Sequence, residues 1–428
     1  MRDDNLLLIF SQTFVPDPAS VGQHMADVAI ELARRGRRVR VYASARGYDD
    51  PSRQYPKREN LQGVDVRRLP FASFGKKSIL TRALGTFTFQ FQVLMRGLFT
   101  PNLGGIFFST SPPLVGVIAC MIGLVRRRPV AYWAMDLNPD QLIALGKLTP
   151  GSITARFLER INRWILNRSA LVIALDRFMA ERLKQRADLD GKLLVMPPWP
   201  HEDRLDSIAK EANPFIAEHG LAGKFVIMYS GNHSPSNPLD TLLEAAAALR
   251  EEDRLRFLFV GGGVGKKAVE EFARQRGLGN VICLPYQPLE NLKYSLTAAD
   301  VHVVSLGQQM AGIVHPCKIY GAMAAGIPVL FLGPSPSHIS DLLEAHPIGW
   351  RVAHGDISGA IATIREIVAT DPARRRQMGN AAAEVLGKDL SQSLLCGRFC
   401  DQLEWALGYR APENLKTAAE AAGTDNVK

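Results

Sequence analysis

The sequence predicts an α/β protein of two Rossmann-like, doubly wound domains facing each other across a cleft, and three observations predict it. The chain has 428 residues, enough for two or three domains with separate cores. Near the start, a fully apolar run from Leu6 to Phe10 is followed by a loop reaching Gly22, an amphipathic helix and a second apolar run, Val39 to Ala43. The same order restarts at Phe225 to Ser230, followed by Gly231-Asn232-His233-Ser234 and a helix opened by Asn237-Pro238. Strand, glycine-bearing loop, helix and strand is the unit from which doubly wound parallel sheets are made.

Each element has a local reason. Leu6 to Phe10 is apolar at every position, as a strand buried on both faces requires, and is too short for the core of a signal peptide. The next helix sets Met25, Val28, Ala29, Leu32 and Ala33 on one face, and Gly36 ends it. Residues 45–63 are polar and read as loop; Val64 to Leu69 reads as strand. Lys76, Lys77, Arg82 and Arg96 frame Phe87, Phe89, Phe91, Leu94 and Phe99. That region is either a basic and aromatic lip for lipid headgroups or a core helix with a solvated face, and the core helix is the reading adopted. No charge occurs between Arg96 and Arg126, a length that could span a bilayer. Ser109-Thr110-Ser111-Pro112-Pro113 breaks the run into a strand, Ile106 to Ser109, and a helix, Leu114 to Val125.

Val130 to Met135 is a strand that ends at Asp136, and ligands of open α/β sheets bind at such carboxyl ends. Asn138-Pro139 reads as a helix N-cap with proline at the first helical position. Helices over Phe157 to Arg168 and Met179 to Gln185, and strands over Leu171 to Ala174 and Leu193 to Met196, complete a first domain of residues 1–200. Pro197-Pro198-Trp199-Pro200 is its stiff exit. The second domain, residues 201–390, begins with a charged connector to about residue 222. Its strands are Phe225 to Ser230, Arg256 to Val260, Val281 to Leu284 and Val301 to Ser305. Helices are expected at Leu289 to Ala298, Ile339 to Glu344, Ile357 to Ala369 and Pro372 to Leu386. Ser391 to Leu407 is a last helix, within a 391–410 segment, and residues 411–428 form a polar tail expected to be disordered.

Charge is unevenly placed. Residues 1–200 hold 29 Lys/Arg against 16 Asp/Glu, leaving 22 against 26 in the rest. The basic half suits an anionic partner, either a membrane surface or a pyrophosphate-bearing molecule. Nucleic acid is not expected, because no aromatic-basic interleaving or known motif accompanies the charge. Five cysteines show no metal-ligand spacing, and Asp188-x-Asp190 reads as surface loop, so no metal site is expected. The cysteine pattern fits a reduced, cytoplasmic setting, and the basic half allows a place on the inner face of the cytoplasmic membrane.

The stretch Ser305 to Leu330 carries the chemistry. A loop with Gly307 and Gly312 leads into a helix expected from Pro316 to Gly326. Backbone N–H groups and the helix dipole there suit an anion, and Lys318 adds a full charge.

Eight segments, among them VGQHMADVAIELARRGRRVRVYA, DLNPDQLIALGKL, YSGNHSPSNPLDTLLEAA, RFLFVGGG and HPCKIYGAMAAGIPVL, lie in order over roughly the first 390 residues. In this they resemble the retaining glycosyltransferases of the two-domain B fold, family 4-like, of the exopolysaccharide, O-antigen and colanic-acid type. The resemblance implies transfer from a nucleoside diphosphate sugar, UDP favoured and GDP possible, to a saccharide or polyprenyl-diphosphate-linked acceptor. It implies that Lys318 and Asp136 are catalytic. It implies donor binding by Gly22, Gly231, Asn232, His233, Gly262, Tyr286, Gly312, His315, Pro316 and Tyr320. It implies a C-terminal helix that crosses back to the first domain, and no cofactor.

The sequence also departs from the family. Where many members have two glutamates separated by seven residues, this chain has Ile313 and Gly321, neither with a side chain that accepts a hydroxyl. Where they have an arginine and a lysine after the strand opening the second domain, it has Asn232 and Asn237. Pro316-Cys317-Lys318 resembles the word that stands in for part of this set in a subgroup. Retention implies front-face substitution with no protein nucleophile, whereas inversion would require a general base, for which Asp136 is placed. A non-catalytic sugar-nucleotide-binding relative is the alternative. An epimerase of similar fold would need paired carboxylates, which the sequence does not offer.

Overall fold

A computed structural model describes residues 5–17, 19–47, 52–72, 79–200, 202–206 and 208–409. Lys76, Lys77 and the 411–428 tail lie outside these residues. The first sheet comprises β1 (Leu6–Phe10), β2 (Val39–Ser44), β3 (Arg58–Leu61), β4 (Val64–Leu69), β5 (Leu103–Ser109), β6 (Val130–Trp133), β7 (Leu171–Ala174) and β8 (Leu193–Val195). The second comprises β9 (Phe225–Ser230), β10 (Leu255–Val260), β11 (Val281–Leu284), β12 (Val301–Ser305), β13 (Val329–Leu332) and β14 (Gly349–Val352). Their orders are β3-β4-β2-β1-β5-β6-β7-β8 and β11-β10-β9-β12-β13-β14. Every pair is parallel except β3–β4. In each sheet the order reverses beside the first strand, between β1 and β5 and between β9 and β12, and such reversals open a crevice at the carboxyl ends.

The first domain's helices are α1 (Ser20–Arg34), α2 (Ile79–Leu98), α3 (Val115–Arg126), α4 (Asp140–Ala144), α5 (Ile153–Arg168) and α6 (Arg177–Lys184). The second carries α7 (Pro214–Glu218), α8 (Asp240–Ala248), α9 (Lys266–Gln275), α10 (Leu292–Thr297), α11 (Lys318–Ala324), α12 (His338–Ala345), α13 (Ile357–Ala369) and α14 (Pro372–Asp389). The last helix, α15 (Gln392–Ala406), packs on α1 of the first domain through Phe399, Cys400 and Leu403, all at most 1% exposed. Arg35 donates to Glu31 at 2.8 Å, Asp401 at 2.6 Å and Glu404 at 3.1 Å, and Arg37 also pairs with Glu404. Burying the Glu404 carboxylate is tolerable because two guanidinium groups satisfy it.

Phe107, Trp133, Trp199 and His24 gather beneath α15, around its Phe399. Phe399 lies 4.5 Å from Trp133 and 5.7 Å from Trp199, and His24 lies 5.4 Å from Trp199. Trp199 donates its indole N–H to Asp27 at 2.9 Å. The proline-rich exit is thus bolted to α1 and α15 rather than free.

Local departures from the sequence reading have clear causes. The 45–63 segment contains β3, whose Arg58-Glu59-Asn60-Leu61 has no apolar alternation because it is an edge strand. Gln62 and Gly63, at φ 49° and 92°, form the two-residue turn that pairs β3 with β4. The connector contains α7, capped by the Asn213 side chain with Pro214 at its start. Asn138 does not cap α4; that helix starts at Asp140, after Pro139. Gly22 lies inside the first turn of α1 rather than in a loop, and a Cβ there would sit 3.0 Å from the Phe14 backbone. Helix α11 starts at Lys318, not Pro316. The run between Arg96 and Arg126 divides into β5 and α3, and among the described residues no helix is long and apolar enough to cross a membrane.

Candidate active site

Turns after parallel strands bring the site together. At the carboxyl ends of β9 and β10, glycines let two loops touch backbone to backbone. A Cβ on Gly261 would lie 2.1 Å from the Gly231 carbonyl oxygen, and one on Gly263 2.1 Å from Asn232 Oδ1. His233 N–H donates to Gly262 O at 2.7 Å, and Gly265 N–H returns to His233 O at 2.9 Å. The His233 ring is buried, with Nδ1 3.1 Å from Gly231 O and 3.3 Å from Gly262 O. Burial, aided by the Lys266 and Lys318 charges, pushes its pKa down to about 4, so the ring is neutral and Nδ1–H can serve both carbonyls. His233 therefore acts as a pin between two loops. Asn232 is exposed beside it, and Tyr286 lies over Gly262, where a Cβ would be 2.9 Å from the ring.

Lys318 enters this corner from α11. Its stem packs on Gly231, where a Cβ would lie 2.7 Å from Lys318 Cε, and its ammonium lies 5.4 Å from the centre of the Tyr229 ring. Burial pushes its pKa down to about 8. Among the described residues, no carboxylate or carbonyl partners this ammonium. Lys266 makes the contrast: its ammonium is buried too, but it donates to Phe259 O and, at 2.8 Å, to Leu284 O.

Asp136 comes to the same region from the first domain, bridged to Val314 just before α11. It follows β6, and its N–H donates to Thr110 Oγ1 at 3.4 Å. Burial pushes its carboxyl up to about 6. The Cys317 thiol sits within the field of both groups: burial pushes it up to about 12, Asp136 adds to the rise and Lys318 opposes it. Cys317 thus lies close to both the Lys318 ammonium and the Asp136 carboxyl.

The loop between β12 and α11 does a different job from the one expected. Its N–H groups largely serve itself: Met310 donates to Gly307 O, Ile313 to Met310 O and Cys317 to His315 O, at 2.9–3.0 Å. Helix α11 has only seven residues, so the dipole contributes little. Gly312 has φ 70°, and a Cβ there would come within 2.6 Å of the Phe178 backbone on α6. Gly312 is thus required for the close approach of the two domains. Leu137 N–H donates to Ile313 O at 2.9 Å, and Asp136 and Val314 form a bridge of antiparallel type.

Beside that bridge runs a buried polar chain. Asp176, which caps α6, accepts from His315 Nδ1 at 3.0 Å; His315 Nε2 meets the Tyr320 hydroxyl at 2.7 Å; that hydroxyl lies 3.3 Å from His338 Nε2. Burial raises the Asp176 carboxyl, but the hydrogen bond and charge of His315 outweigh it and hold the group below its ordinary value. Burial, with His315 nearby, depresses His338 to about 3, so it stays neutral. His315, Pro316 and Tyr320 are enclosed in this domain contact rather than lining open space. Asp176 and His338 were not singled out from sequence. An Asp three residues before Met179 signals a helix cap, but nothing local reveals a partner 139 residues away. Among the described residues, no three His, Cys, Asp or Glu side chains gather where a metal ion could be held.

Two tandem sheets with this strand order form the two-domain B fold, and its two family matches make the chain a member of the glycosyltransferases of that fold. Residues 20–199 match the family described as glycosyl transferase 4-like domain, and residues 212–385 match glycosyl transferases group 1. Two relatives carry provisional names. WbjE of Pseudomonas aeruginosa, named a glycosyltransferase, is 24% identical over 78% of this chain and 83% of its own. WcaI of Escherichia coli (strain K12), named a colanic acid biosynthesis glycosyl transferase, is 25% identical over 84% of this chain and 91% of its own. Sucrose-phosphate synthase from Thermosynechococcus elongatus shares the fold, with a TM-score of 0.73 at 17% identity, covering 94% of this chain and 100% of that one. HepE of Anabaena, solved in complex with UDP-glucose, has a TM-score of 0.68 at 15% identity, covering 94% and 99%.

Proposed function

We propose that this protein transfers a sugar from a nucleoside diphosphate sugar, a UDP-sugar by preference, to a saccharide or polyprenyl-diphosphate-linked acceptor during cell-surface polysaccharide synthesis. The observation that carries the proposal is Lys318: a half-buried lysine at the junction of two glycine loops, its ammonium paired with no anion among the described residues. A cation held in that state costs desolvation energy, which a diphosphate would offset. The UDP-glucose bound to HepE agrees with that donor class, and the name of WcaI agrees with polysaccharide synthesis.

Transfer proceeds with retention in this reading. The acceptor hydroxyl attacks the anomeric carbon on the face that the diphosphate leaves, and its proton passes to the departing phosphate oxygen. The protein's task is to hold two substrates together and stabilise charge growing on the diphosphate. Lys318 takes that charge, Tyr286 and Gly262 flank the nucleoside, and Asn232 supplies neutral donors where relatives have a cation. No metal or cofactor is needed for these roles. Asp136 accepts a hydrogen bond from the acceptor hydroxyl.

Calorimetric titration of UDP, GDP and ADP into the protein and its Lys318→Ala variant tests the donor site. UDP binding that falls at least tenfold in the variant supports it; equal affinity overturns it. Turnover with a UDP-sugar and acceptor, followed by NMR of the new anomeric signal, separates retention from inversion. Binding without turnover of any donor would mean the non-catalytic alternative.

A further inference from the structure

The outer face of the first domain carries an exposed apolar stripe that the transfer reaction does not use. On α2, Leu84, Phe87, Phe91, Met95 and Phe99 recur every three or four residues at or just beyond the helix, which puts them on one side. They are 53%, 67%, 56%, 41% and 76% exposed, while Phe89 and Val93 on the other side are fully buried. The preference for a plain core helix in this region is therefore half right: one side is core, and the other is an apolar surface. Helix α3 runs beside α2, with Gly97 against Ile122 and Gln90 donating to Pro113 O. It adds a parallel row, with Met121, Leu124 and Val125 41%, 54% and 67% exposed. Two adjacent helices with such rows make a contiguous patch larger than single surface apolar residues would give.

The charge around the patch says what covers it. No Asp or Glu occurs from Val66 through Met135, so neither helix carries an acidic side chain. Arg96 and Arg127 are exposed at the C-terminal ends of α2 and α3. A protein partner recognising Arg96 and Arg127 on a surface without acidic side chains would be acidic, and would have little use for a belt of phenylalanines. A bilayer offers both chemistries at once: anionic headgroups for the arginines and the acyl boundary for the aromatic rings. Among the described residues no helix can cross a membrane, so the contact is one in which α2 and α3 lie in the plane of the surface.

We propose that the exposed side of α2 and α3 is a docking face for an anionic lipid bilayer. Both helices begin at the carboxyl edge of the first sheet, after β4 and β5, where the cleft opens. Phe71, 59% exposed, and Leu84 mark that end of the patch, and the Thr88 hydroxyl donates to Phe71 O. Docking thus sets the mouth of the first domain against the headgroups. That last step rests on the proposed lipid-linked acceptor, but the docking face itself does not.

Vesicle co-sedimentation tests it with the full chain. Vesicles of phosphatidylglycerol and phosphatidylcholine are compared with pure phosphatidylcholine, with no acceptor or donor present. The expected result is binding to the anionic vesicles at low salt, weakened at least tenfold by Phe87→Glu with Phe91→Glu, and weakened by added salt. Because both side chains are exposed, the melting temperature of the variant is expected to match that of the parent; a variant that unfolds is replaced by Phe99→Glu with Val125→Glu. Two results overturn the proposal: binding to neither vesicle, or binding that both variant pairs leave unchanged. A third is a concentration-dependent dimer of the parent, abolished in the variant, which would make the patch a contact between copies. UDP titration into the same variants is expected to be unchanged, so failure here is distinguishable from failure of the donor site.

Discussion

At the scale of the residue, Lys318 and Asp136 carry charges that the fold shifts in opposite senses. Burial lowers Lys318 to about 8 and raises Asp136 to about 6. An ammonium that titrates near 8 is expected to lose its hold on a diphosphate as pH rises. Affinity for UDP should therefore fall above pH 8, and binding there should take up a proton, measurable by calorimetry in buffers of different ionisation heat. Removing the ammonium by Lys318→Ala is expected to cost about 1.5–3 kcal/mol of UDP binding, the usual worth of a charged hydrogen bond. Asp136→Asn separates mechanisms. Front-face transfer predicts a loss within about tenfold in kcat, whereas a general base predicts a loss of roughly a hundredfold to ten-thousandfold. Lys318 was legible in sequence because a lysine just after a strand and a glycine-bearing loop has few places to go. Its lack of a protein partner was not, because that depends on where every carboxylate ends up.

At the scale of the element, the glycine turns show what sequence can and cannot give. Gly231, Gly262 and Gly312 were all expected as donor contacts from the family resemblance. The structure assigns them three different neighbours. Gly231 makes room for the Lys318 stem, Gly262 for the Tyr286 ring, and Gly312 for the Phe178 backbone across the domain boundary. A glycine advertises a close approach but not to what. Gly312→Ala combines a φ of 70° with a clash at 2.6 Å, so it is expected to cost about 1–3 kcal/mol and to lower Tm. Apolar strands with one glycine turn apiece were readable throughout. β3 and α7 were not, since an edge strand and a five-residue helix need little apolar pattern of their own.

At the scale of the whole molecule, buried histidines set the response to acid. His233, His302 and His338 are depressed to about 4, 4 and 3, each first by burial. An unfolded chain binds a proton at each near pH 6.5, while the folded chain resists until well below it. Stability is therefore complete above about pH 6.5 and falls progressively towards pH 4. Asp136, raised rather than lowered, works in the opposite sense between about 4 and 6 and offsets part of the loss. Thermal melts from pH 7.5 to 4.5 are expected to show a falling Tm, with the His338→Gln variant falling less steeply. Asp176→Asn should loosen the domain contact by removing the carboxylate that His315 addresses, visible as a larger radius in small-angle scattering. The exposed Arg177–Asp341 pair at 2.7 Å spans the same boundary, yet Arg177→Ala should shift Tm little, because solvent screens it.

The cluster of Trp133, Trp199 and Phe399 has a mechanical consequence. The polypeptide passes between the lobes twice, once outward near Pro200 and once on the return into α15, and both passages are anchored to the same knot of rings. Two chain passages fixed at a common point form a pivot, which holds the lobes together there while leaving them free to turn about it. Cutting one of them, by a protease site engineered at residue 391, should loosen that pivot without unfolding either lobe.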